Sequence, residues 1–294
     1  MPYSILELIG NTPLVESKAI NPNPSVRLFF KLEGHNPGGS VKDRAALNML
    51  KSGLERGDFD KNTQLIEATS GNTGIALAMI AGVYGLNIEL VMPENSTVER
   101  VHTMQAYGAK VTLTSADIGI EGARDYAESK VKNDGFVMLN QFANNDNWKA
   151  HYYTTGPEIW KDTEQKITHF VSAMGTTGTI MGTSTFLKEQ SSTIQIIGVQ
   201  PKDGTKIPGI RKWPEAYLPK IFKANKIDQV LEVGQEESAE MARRLAKEEG
   251  IFSGMSSGGA AVAAVRLANT LDSGTIVSIV CDRGDRYIST GLFE

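Results

Sequence analysis

In the stretch NPGGSVKDR, residues 36–44, Ser40 and Val41 separate Lys42 from the glycine pair Gly38-Gly39. Desolvation or nearby positive charge lowers a lysine pKa, which frees the amine to form an imine with a carbonyl and later to take a proton. The competing reading is a solvated surface lysine. A second stretch, EATSGNTG, carries Thr69, Ser70, Gly71, Asn72 and Thr73 from a strand end into an apolar helix. Unsatisfied amides, the helix dipole and hydroxyls converge there and suit a carboxylate or another oxyanion, although the same residue types also serve as plain N-caps.

A third stretch, SAMGTTGTIMG, is richer than a cap requires, because Gly175, Thr176, Thr177, Gly178 and Thr179 combine close backbone approach with three hydroxyl donors. A phosphate monoester fits it best. No lysine follows to make a nucleotide P-loop, and the spacing is not that of a dinucleotide fingerprint; simple tight packing is the alternative. Two further loops, FSGMSSGGAA and SIVCDRGDRY, bring Ser256 and Ser257 to a helix start and Cys281, Asp282, Arg283, Asp285 and Arg286 to a strand end. Taken alone, the serines read as N-caps, the charges as an ion-pair set and Cys281 as a buried thiol without a general base nearby in sequence. Ser40 reads as the cap of the helix carrying Lys42, and Asp43 and Arg44 read as structural.

These loops need a scaffold, and the apolar pattern supplies one. VRLFFKLE, TQLIEAT, NIELVMP, KVTLT and FVMLN read as strands, separated by helices in SVKDRAALNMLKSGLERG, NTGIALAMIAGVYG and IEGARDYAESKVK. After a less regular passage the rhythm restarts with HFVSAMG, TIMGTSTFLKEQ, IQIIGVQP, IDQVLEV, ESAEMARRLAKEEG, GGAAVAAVRLANTL and TIVSIVCD. The alternation predicts an α/β fold with twisted, mostly parallel sheets flanked by helices. A length of 294 residues favours two domains, with a change near residues 145–149 and the early strands free to cross over. Open α/β sheets bind ligands beyond the carboxyl ends of their strands, so the four loops are expected to face one crevice. The Lys-, Gly- and Pro-rich passage KDGTKIPGIRKWPEAYLPKIFKANK has no sustained period, and loops of that length are often functional.

A net charge of −4 supplies no field for nucleic acid or anionic membrane, which leaves a small molecule as the expected partner. One cysteine excludes a disulfide framework and a multi-cysteine metal site, and no metal is expected. Absence of a long apolar run or a leader pattern points to the cytoplasm. A phosphate loop, a carboxylate loop and a lysine at a helix start are together the parts of a Schiff-base enzyme, in which pyridoxal phosphate bonds to the lysine amine.

GNTPL, NPGGSVKDR, EATSGNTG, MPENSTVER, NQFANNDNWKAHYYTTGPEIW, MGTTGTIMG, PGIRKWP, GMSSGG and CDRGDRYIST, in this order, resemble the cysteine synthase/cystathionine β-synthase family of pyridoxal phosphate enzymes, fold type II. PGIRKWPEAYLP and CDRGDRY resemble the isozyme that accepts bulkier sulfur donors. The resemblance implies a tryptophan synthase β-like fold: a smaller mobile domain of residues 39–147 with the carboxylate loop, a larger one of 1–38 and 148–294 with the phosphate loop, and the cofactor between them. It implies Lys42 as the Schiff-base lysine, Gly175 to Thr179 as the phosphate loop, Asn72 on the cofactor's 3-oxygen and Ser256 on its pyridine nitrogen. Thr69, Ser70, Gly71, Thr73 and Gln141 would hold the substrate carboxylate, and Arg211, Trp213, Cys281 and Asp282 the second substrate. The implied reaction replaces the acetoxy group of O-acetyl-L-serine by sulfide or thiosulfate through an α-aminoacrylate, and a homodimer is implied too. Relatives commonly carry arginine where this chain has Lys212, which keeps charge but loses the bidentate fork. The rival readings are an O-phosphoserine-using cysteine synthase, a serine/threonine dehydratase, a threonine synthase, a cystathionine β-synthase, a nicotinamide-dependent oxidoreductase and a catalytically silent binding or regulatory protein.

Overall fold

The computed structural model describes residues 4–69 and 71–294. The chain opens on a larger sheet with β1 (Leu14–Glu16) antiparallel to β2 (Val26–Leu32), then leaves it through α1 (Lys42–Arg56). It next builds a smaller, wholly parallel sheet from β3 (Gln64–Ala68), β4 (Asn87–Pro93), β5 (Lys110–Thr114) and β6 (Val137–Met138) in the order β5-β4-β3-β6. The helices α2 (Asn72–Tyr84), α3 (Val98–Ala106) and α4 (Gly119–Asp134) connect these strands. After α5 (Asn145–Tyr153) and α6 (Thr155–Asp162) the larger sheet resumes with β7 (His169–Ala173), α7 (Gly178–Gln190), β8 (Gln195–Pro201), β9 (Gln229–Val233), α8 (Gln235–Glu249), α9 (Met255–Ala268) and β10 (Gly274–Val280). Its order is β1-β2-β10-β7-β8-β9, parallel except at β1.

The apolar runs explain this architecture. β4 and β10 are buried at every position after the first or second, as strands covered on both faces must be, so they read as continuous rather than alternating hydrophobic stretches. On the larger sheet Phe30 and Ile276 pack with α8 and α9, while Phe29 and Val277 pack with α6 and α7 on the opposite face. On the smaller sheet Leu65 and Leu90 face α1 and α2, and Ile66 and Val91 face Ile120, Ala123 and Ala127 of α4. α2 is buried from Thr73 to Ala81, and that stretch is accordingly apolar on all sides.

Differences from the pattern reading are local. The less regular passage before β7 contains α5 and α6, whose polar and aromatic residues obscure the helical period, and MPENSTVER leads into α3. FVMLN forms a strand only at Val137–Met138. The N-cap of α1 is Val41 rather than Ser40, although Ser40 Oγ accepts the Lys42 amide at 3.2 Å. Ser256 and Ser257 lie inside the first turn of α9, and Gly254 occupies the cap position. Among the described residues no helix is long and apolar enough to cross a membrane.

Candidate functional site

The strand ends of both sheets open onto one cleft of about 760 Å³, lined by Lys42, Thr69, Gly71, Asn72, Thr73, Gln141, Gly175, Thr176, Thr177, Thr179, Arg211, Trp213, Ser256 and Cys281. The four loops singled out by composition therefore do converge. Asp282 and Gly178 stand just behind this lining, and Ser70 lies outside the described residues.

Lys42 is placed by contacts remote in sequence. The Val41 amide donates to the Cys281 carbonyl at 2.8 Å, and Ser40 forms an antiparallel bridge with Asp282. The loop before α1 is thus fastened to the end of β10. Gly39 makes the turn with φ +80°, a backbone region that a Cβ disfavours, and the Arg286 guanidinium fills the space where a Cβ would stand. Lys42 is half-buried, and its amine has no carboxylate or hydrogen-bond partner among the described residues. Cys281 in the lining and the buried His151 behind it are poor bases. Burial pushes the Cys281 thiol up to about 11, and burial with the nearby Arg44 charge brings His151 down to about 3. The acids lining the cleft are Glu121, in the first turn of α4, and Asp203, in the passage after β8, where it is bound to Lys212. Lys42 is thus a candidate for carrying a proton to and from a bound molecule.

The carboxylate loop is open for a ligand. Among the described residues no side chain caps α2, whose N-cap is Gly71, and the first turn of this apolar helix lines the cleft with the dipole behind it. Thr73 Oγ1 donates to Gln141 Oε1 at 2.8 Å, and Gln141 Nε2 donates to the Ala68 carbonyl at 3.3 Å, so both residues share one orientation. Behind them the buried Glu67 accepts the amides of Asn140 and Gln141 at 2.7 and 3.1 Å. Burial pushes Glu67 up to about 7, against the pull of those two amides.

The third loop has the properties of an anion cradle. Thr177 takes φ +70°, a strained conformation for a β-branched residue, and its buried Oγ1 has no partner among the described residues. The thirteen-residue α7 again lacks a side-chain cap. A Cβ on Gly178 would collide with the Asn147 amide, which itself donates to the Gln141 carbonyl at 2.6 Å and to Thr176 Oγ1 at 3.3 Å. A Cβ on Gly175 would come within 2.8 Å of the Gly209 carbonyl oxygen. Thr179 Oγ1 lies 3.3 Å from Nε2 of the buried His151. An unpartnered hydroxyl, uncapped amides and two positions where only glycine fits suit a phosphate ester.

On the remaining walls Ser256 faces the cleft, whereas Ser257 turns away to accept the Cys281 amide at 2.9 Å. Trp213 donates its Nε1 to the Gly175 carbonyl at 2.8 Å and meets Phe142 edge to face at 5.3 Å, joining the phosphate cradle to the residue after Gln141. The exposed Arg211 guanidinium stacks 5.4 Å from the Trp213 ring. Lys212 is instead bound to Asp203 and Glu232 at 2.6 and 2.9 Å, so its charge is neutralised by acids, whereas Arg211 makes no ion pair among the described residues. Asp282, almost completely buried, accepts from Asn72 Nδ2 and from Tyr287 Oη, each at 2.6 Å. It therefore acts on the cleft through Asn72. Arg283 and Asp285 form an exposed pair. Among the described residues no cluster of three or more His, Cys, Asp or Glu could hold a metal. Glu67, Asn147, His151 and Arg286 were not identifiable from local sequence, since each matters through a partner distant along the chain.

Residues 5–282 match the model of the family described as pyridoxal-phosphate dependent enzyme. The chain is 54% identical over 291 residues to cysteine synthase B of Pseudomonas aeruginosa, covering 99% of this chain and 97% of that one. It is 52% identical over 287 residues to cysteine synthase B of Escherichia coli, with 98% and 95% covered. The solved structure of cysteine synthase from Entamoeba histolytica superposes with a TM-score of 0.94 at 37% identity, covering 100% of this chain and 91% of that one.

Proposed function

This chain belongs to the pyridoxal-phosphate dependent enzyme family, and from that premise and the geometry of the cleft we infer that it makes cysteine from O-acetyl-L-serine. The observation that carries the reading is the convergence of an unpaired Lys42 with a phosphate cradle and an uncapped helix start. When bound, the cofactor supplies an electron sink that makes the α-proton of an amino acid labile and lets a β-substituent leave. Gly175 to Thr179 would hold its phosphate, Asn72 its ring oxygen and Ser256 its ring nitrogen, with Lys42 as the covalent anchor. A hydroxyl at the ring nitrogen, unlike a carboxylate, need not keep that nitrogen protonated, which favours loss of a β-leaving group over other fates of the amino acid.

Thr69, Gly71, Thr73 and Gln141 bind the substrate carboxylate at the start of α2, with Ser70 of the same loop, and so orient the α-hydrogen toward Lys42. Lys42 Nζ takes that proton as acetate departs, and returns it to Cα once the sulfur donor has added at Cβ. Purified protein should form cysteine from O-acetyl-L-serine and sulfide, and absence of that product would overturn the reading.

Thiosulfate is proposed as a second sulfur donor, on the ground that Arg211 offers an exposed guanidinium at the cleft while Cys281 adds a polar wall. Arg211→Ala is expected to lower kcat/KM for thiosulfate about tenfold with little change for sulfide. Equal losses with both donors would count against it. Gly178→Ala is expected to weaken cofactor binding by roughly tenfold to a hundredfold, as overpacking against Asn147 opens the cradle. Absorbance titration of cofactor-stripped protein measures this, and an unchanged affinity would show that the cradle is not closed at that position.

Residues 39–147 are proposed to move as a unit over the bound amino acid. This rests on the separate smaller sheet in that stretch and on Trp213 and Phe142 meeting across the cleft. A cytoplasmic homodimer completes the reading; the single thiol Cys281 suits a reducing compartment, and the assembly is carried over from the resemblance.

A further inference from the structure

We propose that Arg286 is a positioning residue that, with Asp282, locks the side-chain amide of Asn72 so that its one remaining donor faces the cofactor's ring oxygen. The proposal rests on the reading above that Asn72 meets that oxygen. Arg286 belongs to the short turn Gly284–Thr290 after β10 and is about nine-tenths buried, with 9% of its surface exposed. Its Nη1 donates to Asn72 Oδ1 at 2.6 Å, and its Nη2 donates to the Gly38 carbonyl. On the other side of the amide, Asn72 Nδ2 donates to Asp282 Oδ2 at 2.6 Å.

A guanidinium only donates and a carboxylate only accepts. An amide held between them therefore has one orientation, and the reversed orientation would oppose like dipoles at both ends. One Nδ2 hydrogen is committed to Asp282, which leaves the other as the single donor of this side chain. A developing or resident negative charge on a ring oxygen needs a donor there, and an amide free to flip would present an acceptor part of the time.

The lock is itself anchored. Tyr287 Oη donates to Asp282 Oδ2 at 2.6 Å, the Gly254 amide donates to Oδ1 at 3.3 Å, and burial keeps the Tyr287 phenol protonated, with a pKa well above its ordinary value. Gly38, one residue from the left-handed turn at Gly39, ties the same guanidinium to the loop that carries Lys42. The Gly38 carbonyl thus fixes one arm of the guanidinium and aims the other at Asn72.

The test compares holoenzymes of wild type, Asn72→Ala, Arg286→Met, Arg286→Lys and the Asn72→Ala/Arg286→Met double variant. The readouts are the visible band of the bound cofactor and cofactor affinity after stripping. Arg286→Met is expected to move the band in the same direction as Asn72→Ala and to weaken affinity about tenfold, with Arg286→Lys intermediate. The double variant should be no worse than Asn72→Ala alone, because Arg286 acts through Asn72. Independent losses that multiply in the double variant would overturn the proposal, as would an unchanged band in Arg286→Met where Asn72→Ala shifts it. If Arg286→Met does not fold, Arg286→Lys carries the same comparison, and an unmoved band in it overturns the proposal. An unmoved band in Asn72→Ala itself would instead refute the placement of Asn72 on the ring oxygen, and a wild-type protein without any visible band would refute the functional reading.

Discussion

Lys42→Ala should abolish cysteine formation, lowering turnover by at least about a thousandfold, while leaving the unfolding midpoint unchanged. The loss follows from the proton inventory of the cleft. Cys281 holds its proton to about 11 and the buried His151 is neutral down to about 3, so neither replaces Lys42 in taking and returning the α-proton. Stability is spared because Lys42 is half-buried at the first turn of α1 and makes no ion pair that its removal would orphan. Lys42→Arg should fail nearly as badly, since a guanidinium neither forms the covalent link nor gives up a proton near neutrality. Steady-state assays with thermal unfolding of the same samples check both halves. Turnover within tenfold of wild type in either variant would remove Lys42 from the mechanism.

Arg44→Met is expected to cost about 3–5 kcal/mol of unfolding free energy, the largest stability effect in the molecule's charged framework. Arg44 is 2% exposed and Glu33 is fully buried; the guanidinium binds both Glu33 oxygens at 2.7 and 2.8 Å and both Glu158 oxygens at 2.6 and 2.7 Å. Thr12 Oγ1 donates to Glu33 at 2.6 Å, and the buried Lys31 reaches Glu158 at 2.9 Å. The cluster joins α1 to the end of β2 and to α6. Methionine fills much of the volume but leaves carboxylates in a dry site without their cation.

The effect should depend on pH in a definite sense. Burial alone would raise Glu158, but Arg44 and Lys31 bring it down to about 2, and burial of Glu33 is likewise outweighed by Arg44. Carboxyls depressed in the folded state contribute stability that is complete above their unfolded value of 4.5 and is lost as pH falls through the folded one. In the variant the stranded carboxyls prefer their protons. The stability gap between the two proteins should therefore narrow from neutrality to about pH 4 and below, as read by urea unfolding. A gap that stays constant would mean that the loss is one of packing and not of charge.

Much of the site was legible because it is built from short polar residues that follow an apolar strand. EATSGNTG and MGTTGTIMG announce strand ends running into helix starts, and the open-sheet rule brings such ends to one crevice. Strands β2 to β5 and β7 to β10 were readable from their apolar residues, whereas the three-residue β1 was missed and β6 is shorter than FVMLN suggested; the passage around PGIRKWP proved as irregular as its composition suggested. What composition cannot carry is the pairing of distant positions. Lys42 looks like a surface lysine until the loop before it is pinned to Cys281 and Asp282 at the end of β10. Ser256 and Ser257 look equivalent until one faces the cleft and the other holds a backbone amide. Lys212 looks like a partner of Arg211 for an anion until Asp203 and Glu232 are seen to bind it. Arg286 read as one member of a charged cluster, and its bond to Asn72 spans 214 positions. α5 and α6 were missed for a related reason, since their helical faces are recognisable only through the neighbours they pack against, α1 and α7.

The central claim is tested most directly by following the visible absorbance of the purified holoprotein as O-acetyl-L-serine, and then sulfide, are added. The cofactor band should give way to a new, persistent band on adding O-acetyl-L-serine but not serine or O-phosphoserine, and sulfide should restore the original band with one cysteine released per site. A protein whose band does not respond to O-acetyl-L-serine, or responds to serine or O-phosphoserine in its place, would contradict the account.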